Sequence, residues 1–145
     1  MLITNHVVQG AVIGTMARGP VSAFVLGVAS HFAADSVPHW GQAEYPDFLK
    51  VAVPDGLAGL ATMAWLTSRT PAAGRFIVLA GMLGACLPDA DKPGTLFFGR
   101  SPFPQVVDQW HIDIQREEAH RMPQELVCIA VGLAVAAVAV RTRRS

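Results

Sequence analysis

Charge is scarce in this sequence. Charged residues make up only 15% of its 145 residues, and 11 basic against 11 acidic side chains leave a net charge of zero. An average soluble domain carries roughly 25% charged residues. A bundle this small has a large surface for its volume and needs polar side chains to cover it in water. Lipid is therefore the simpler solvent for much of the surface. No basic stripe is interleaved with aromatic residues, which argues against nucleic acid as a partner. The two cysteines, Cys86 and Cys128, each sit in an apolar run. They form no disulfide framework and no CxxC motif, and they are expected to behave as small buried hydrophobes. A glycine-rich phosphate loop and a GxSxG elbow are also missing. The first residues, Met1 to His6, lack the positive region of a signal peptide, so the first apolar segment is expected to be retained.

Hydrophobic residues are plentiful, at 52% of the chain. They fall into five apolar helical segments, roughly 3–17, 21–37, 50–68, 75–91 and 122–140. Leu126 to Val140 is an unbroken apolar run. The expected fold is an all-α integral membrane helical bundle, one domain over 1–145, with about five membrane segments and an amphipathic interfacial helix. Each segment is shorter than the ~20 residues that cross a bilayer comfortably, so their polar ends must reach the interface or the bilayer must thin. Gly19-Pro20, Pro38 and Thr70-Pro71 separate the segments, and a polar stretch, 89–121, follows the fourth. Gly10 and Gly14, like Gly81 and Gly84 or Ala85, have the spacing that permits close helix contact. A homo-oligomer is left open.

The charges give a direction. Arg18, Arg69, Arg75, Arg141, Arg143 and Arg144 fall in three places that share one side if all five segments cross. The other side receives the acidic residues and all five histidines. The positive-inside rule then puts the C-terminus in the cytoplasm and the polar stretch outside, with the N-terminus out.

Chemistry gathers on that outer side. In Ser30-His31-Phe32-Ala33-Ala34-Asp35-Ser36-Val37-Pro38-His39-Trp40, His31 and Asp35 are four apart. On a helix they project from one face, at a separation where imidazole and carboxylate can share a metal ion. Ionisable residues at membrane depth are costly and point to function, although a His–Asp pair tying two helices is the bland alternative. His6, Asp55 and Asp89 lie at the same depth on other segments, and helical bundles build metal sites from facing side chains in this way. Asp89-Ala90-Asp91 can hold a hard cation through oxygen. The stretch from Pro104 to Met122 is expected to be one amphipathic helix. Val107, His111, Ile114 and Glu118 share its inner stripe, making His111 a candidate ligand and Glu118 a candidate ligand or general base. Glu117 and Arg121 are expected to pair on its outer face. His39, Asp91 and His120 receive no assigned role.

The strings HFAADSVPHW, GACLPD at 84–89 and Trp110-His111 resemble small bacterial inner-membrane proteins regarded as metal-dependent hydrolases. The resemblance covers most of the chain through short motifs. It implies His6, His31, Asp35, Asp89 and His111 as metal ligands. Members often carry a second histidine a turn after the aromatic–His pair; here Gln115 stands there. His120 or Glu118 then substitutes, or fewer metals bind, or hydrolysis has been lost.

Three functions follow in order of preference. The first is a hydrolase with a divalent metal, zinc ahead of magnesium or manganese. It acts on an amphiphilic, lipid-like substrate at the extracytoplasmic interface, with Glu118 or Asp55 as proton acceptor. The second is a terpenoid or lipid cyclase, lyase or isomerase using carboxylates or Mg-diphosphate. The third is a non-catalytic assembly protein whose polar cluster is a structural network.

Overall fold

The computed structural model describes residues 1–41 and 47–143. Its elements are α1 (Ile3–Met16), α2 (Pro20–Asp35), α3 (Asp47–Arg69) and α4 (Ala72–Cys86), followed by a 3-10 turn at Leu87–Ala90. Then come α5 (Asp91–Phe98), α6 (Gln105–Ile114), a second 3-10 turn at Ala119–Arg121 and α7 (Met122–Thr142). The described residues form no β-strand beyond one isolated bridge between His39 and Glu117.

Local chemistry sets the boundaries. Pro20 opens α2, where its missing N–H costs nothing, and the Gly19 N–H donates to Ser22 Oγ at 3.2 Å. Pro38 forbids further helix after α2, whose last backbone bonds close at Ser36 and Val37. Pro71 separates α3 from α4 in the same way.

Helix α1 sits at the centre, packed on α2, α3, α4 and α7. Its Val7, Val8 and Ala11 meet Leu66 of α3, Val78 and Met82 of α4, and Ala136 and Val140 of α7 in one apolar core. Small residues let α1 and α4 touch backbone to backbone. A Cβ on Gly10 would lie 2.5 Å from Gly81 O, and one on Gly14 would lie 2.6 Å from Val78 Cα. Gly27 and Gly84 do the same between α2 and α4. These glycines are thus used within one chain.

Two stretches, Ala72–Phe98 and Ala119–Thr142, are long and apolar enough to cross a membrane. The five-span expectation goes further than these two. Helices α1 and α2, at 14 and 16 residues, rise about 21 and 24 Å against a hydrocarbon core of about 30 Å. Large apolar side chains nonetheless face outward, including Val25 and Leu26 on α2, Leu57 and Leu60 on α3, and Val127, Val131 and Val138 on α7. Cys128 is exposed among them and Cys86 is half-buried, which corrects the expectation that both are buried.

One end of the bundle collects arginine. Arg143 donates to Gly14 O and, at 3.2 Å, to Ala17 O, joining α7 to the end of α1. Arg75 donates to Thr70 O at 3.0 Å, and the Arg69 guanidinium lies 5.9 Å over the Trp65 ring. Arg144 lies outside the described residues. The opposite end holds the start of α1, the end of α2 and the start of α7.

The expected helix over 104–122 is corrected. Helix stops at Ile114, and Gln115 is extended at φ −68°, ψ 136°. Arg116 N–H donates to Asp35 O (3.1 Å), His39 N–H to Arg116 O (3.0 Å) and Glu118 N–H to His39 O (2.8 Å). These bonds outbid a further helical turn and lay residues 115–118 along the segment after α2.

A candidate metal centre at one end of the bundle

Asp35, the last residue of α2, is the hub, and neither it nor His31 has exposed surface. His31 Nε2 lies 3.1 Å from Asp35 Oδ2, one helical turn away as their spacing requires. Helix α6 brings His111 Nε2 to 3.2 Å from the same oxygen and 3.0 Å from His31 Nε2. The Leu87-Pro88-Asp89 turn after α4 delivers Asp89, whose Oδ1 is 3.9 Å from His31 Nε2. One ligand atom from each of His31, Asp35, Asp89 and His111 lies within 4.8 Å of the other three, and all four residues are buried. From α1, His6 stacks on His31 with ring centroids 4.0 Å apart. Its Nε2 is 3.4 Å from Asp35 Oδ1 and 4.0 Å from Asp89 Oδ2. The Met1 amino group also lies 3.3 Å from Asp35 Oδ1.

The outer contacts set which atoms are free to bind. His31 Nδ1 is 2.7 Å from Ala85 O. A carbonyl can only accept, so the ring proton sits on Nδ1 and the Nε2 lone pair points into the cluster. Gln115 Nε2 reaches His111 Nε2 at 3.1 Å and Asp35 Oδ2 at 3.3 Å. Lys92 donates to Asp89 Oδ1 at the rim.

These atoms fit a cation. Ligands of a tetrahedral ion with bonds of about 2.0–2.1 Å stand roughly 3.3–3.4 Å apart. The three contacts among His31, His111 and Asp35 are near that separation. A single proton between facing acceptors satisfies one contact, whereas a central cation satisfies all of them. The group can hold a metal ion.

No family model, curated protein or solved structure matches this chain.

Beside the cluster opens a cavity of about 950 Å³. Phe48, Leu49, Val53, Leu57, Leu96 and Phe97 give it an apolar wall, and Asp55, Asp89, Asp91, Lys92 and Glu117 are its charged lining residues. Asp91 Oδ1 is buried there without a hydrogen-bond partner.

The structure brings together His6, His31, Asp35, Asp89 and His111. The two expected proton acceptors are engaged by other partners, although Asp55 does line the cavity. Asp55 Oδ2 accepts from Ile3 N–H at 2.6 Å, and its Oδ1 accepts from Thr4 Oγ1 at 2.6 Å. Asp55 thus caps α1 from α3, satisfying amides that a helix start leaves open. Glu118 leaves the inner stripe because the helix ends before it. Its carboxylate accepts from Arg121 Nε at 2.7 Å and lies 3.3 Å from the exposed His120. Arg121 therefore pairs with Glu118, not with Glu117 as expected, and its guanidinium holds the Glu118 carboxyl below the usual range. Neither Glu118 nor His120 replaces the second histidine, because Gln115 itself reaches the cluster.

Two residues escaped assignment from sequence. His39 is wholly buried, and Glu125, in the first turn of α7, accepts from Leu2 N–H (3.0 Å), Asn5 Nδ2 (2.7 Å) and Trp40 N–H (3.2 Å). An acid opening an otherwise apolar helix was the available signal for Glu125.

Proposed function

We propose that this chain is a membrane-embedded, metal-dependent hydrolase of amphiphilic substrates, resembling small bacterial inner-membrane proteins of that kind. In this reading five segments cross the inner membrane, with the N-terminus and the site outside and the arginine end in the cytoplasm. The carrying observation is the buried His31–Asp35–Asp89–His111 cluster, adjoining an apolar cavity. Pockets for small molecules span roughly 300–1,000 Å³ with mostly apolar walls and few polar groups. The cavity matches that description.

His31, Asp35, Asp89 and His111 would hold the ion, and two imidazoles with two carboxylates favour zinc over magnesium. A divalent cation supplies Lewis acidity there and lowers the pKa of a water. The chain's own residues do the rest. Phe48, Leu57 and Phe97 accept an apolar tail and exclude water from it. Lys92 brings positive charge to the head-group end of the cavity. Asp91, in place of Asp55 and Glu118, takes the proton of the attacking water and returns it to the leaving oxygen.

Metal content of the purified protein, alone and as His31→Ala and Asp89→Ala, tests this. Bound divalent metal that both substitutions abolish, together with chelator-sensitive hydrolysis of an ester or phosphoester lipid, is the expected result. Metal retained by both variants would overturn it.

A further inference from the structure

Resting on that reading, we infer a second cation site beside the first, on the remaining oxygens of the same two carboxylates, formed by His6 and His39. The His31–His111 side uses Asp35 Oδ2 and Asp89 Oδ1. Their remaining oxygens face two further imidazoles, and Asp35 Oδ1 also accepts from the Met1 amino group at 3.3 Å, which a cation there would displace. His6 Nε2 stands 3.4 Å from Asp35 Oδ1 and 4.0 Å from Asp89 Oδ2, and His39 Nε2 stands 4.0 Å from Asp35 Oδ1.

Both histidines are fully buried, and neither Nε2 has a hydrogen-bond partner. Burying an unpaired polar atom costs about 1–3 kcal/mol, so two at one carboxylate call for a ligand. His39 is also aimed. Its Nδ1 lies 2.8 Å from Val37 O, which fixes the ring proton there and turns the Nε2 lone pair toward Asp35. The 115–118 strap pins the His39 backbone on both sides. Two ligands of one ion stand at most two bond lengths apart, about 4.2 Å for imidazole nitrogen and carboxylate oxygen. All three separations fall inside that limit.

Asp35 and Asp89 then bridge two cations. Paired ions about 3.5–4 Å apart suit in-line displacement at phosphorus, because they stabilise both the attacking and the leaving oxygen. The substrate class narrows to a phosphoester with an apolar chain in the cavity. Water oxygen bonds to phosphorus and the ester P–O bond breaks. The water's proton passes to Asp91 and on to the leaving alkoxide.

The test uses the full chain in detergent, stripped of metal and titrated with Mn²⁺, read by bound-metal analysis and electron paramagnetic resonance. Two ions per chain with an exchange-coupled spectrum are expected. His39→Ala and, separately, His6→Gln should each leave one ion with an uncoupled six-line signal, in protein whose circular dichroism is unchanged. One uncoupled ion in wild type, unaltered by either substitution, overturns the second site and leaves the single-metal hydrolase standing. No bound ion overturns both. If one variant misfolds, the other decides.

Discussion

Alanine at position 10 would put a methyl carbon 2.5 Å from Gly81 O, 2.7 Å from Met82 Cα and 2.9 Å from Ala85 Cβ. Ordinary contact begins near 3.4 Å, so α1 and α4 must part by roughly 0.9 Å, a backbone shift of the kind overpacking forces. Two of the three obstacles are backbone atoms, which no rotamer change can move. Overpacking of this kind costs about 1–3 kcal/mol, and the better helix propensity of alanine returns up to about 1 kcal/mol. A net loss of about 1–2 kcal/mol is expected, lowering the melting temperature by about 3–8 °C. The same shift reaches the inferred second cation site. His6 is on α1 and Asp89 just beyond α4, and their 4.0 Å separation is already near the limit for a shared ion. Affinity for the second ion should therefore fall by about tenfold or more, as when the groups orienting a ligand are disturbed. Gly56→Ala is the control. Nothing lies within 4 Å of a Cβ there, so it should gain up to about 1 kcal/mol within α3. Thermal unfolding in detergent and metal titration read both variants. A Gly10→Ala protein as stable and metal-competent as wild type would refute the close approach of α1 and α4.

Glu125→Ala should cost about 3–5 kcal/mol, because it strips three donors of one buried acceptor and unties α7 from α1 and the Trp40 loop; a loss under about 1 kcal/mol in thermal unfolding would refute that tie. Asp55→Asn should lower stability by about 1–2 kcal/mol as a weakened cap and leave bound metal unchanged. Glu118→Gln should alter neither metal content nor the rate of hydrolysis. Since the Glu118 pKa is lowered on folding, its pairing with Arg121 is present above the ordinary carboxylate range and fades as the pH falls. A large rate loss in either variant, with metal content intact, would restore Asp55 or Glu118 as proton acceptor.

Sequence alone determined where the helices fall. The apolar segments and the Gly19-Pro20, Pro38 and Thr70-Pro71 breaks match α1 to α4 and α7 within a few residues, because helix periodicity and proline stops are local. His31 and Asp35 were legible for the same reason, since one turn of helix fixes their separation. The tertiary structure alone decided what depends on distant backbone. The extended strap at 115–118 exists because Asp35 and His39 supply carbonyl and amide partners some 80 residues away, and that pairing turned Glu118 outward and buried His39. Asp55 could not be told from a catalytic carboxylate by spacing. Only the position of the α1 N-terminus, set by packing on α3, shows that its oxygens are engaged by backbone and threonine donors.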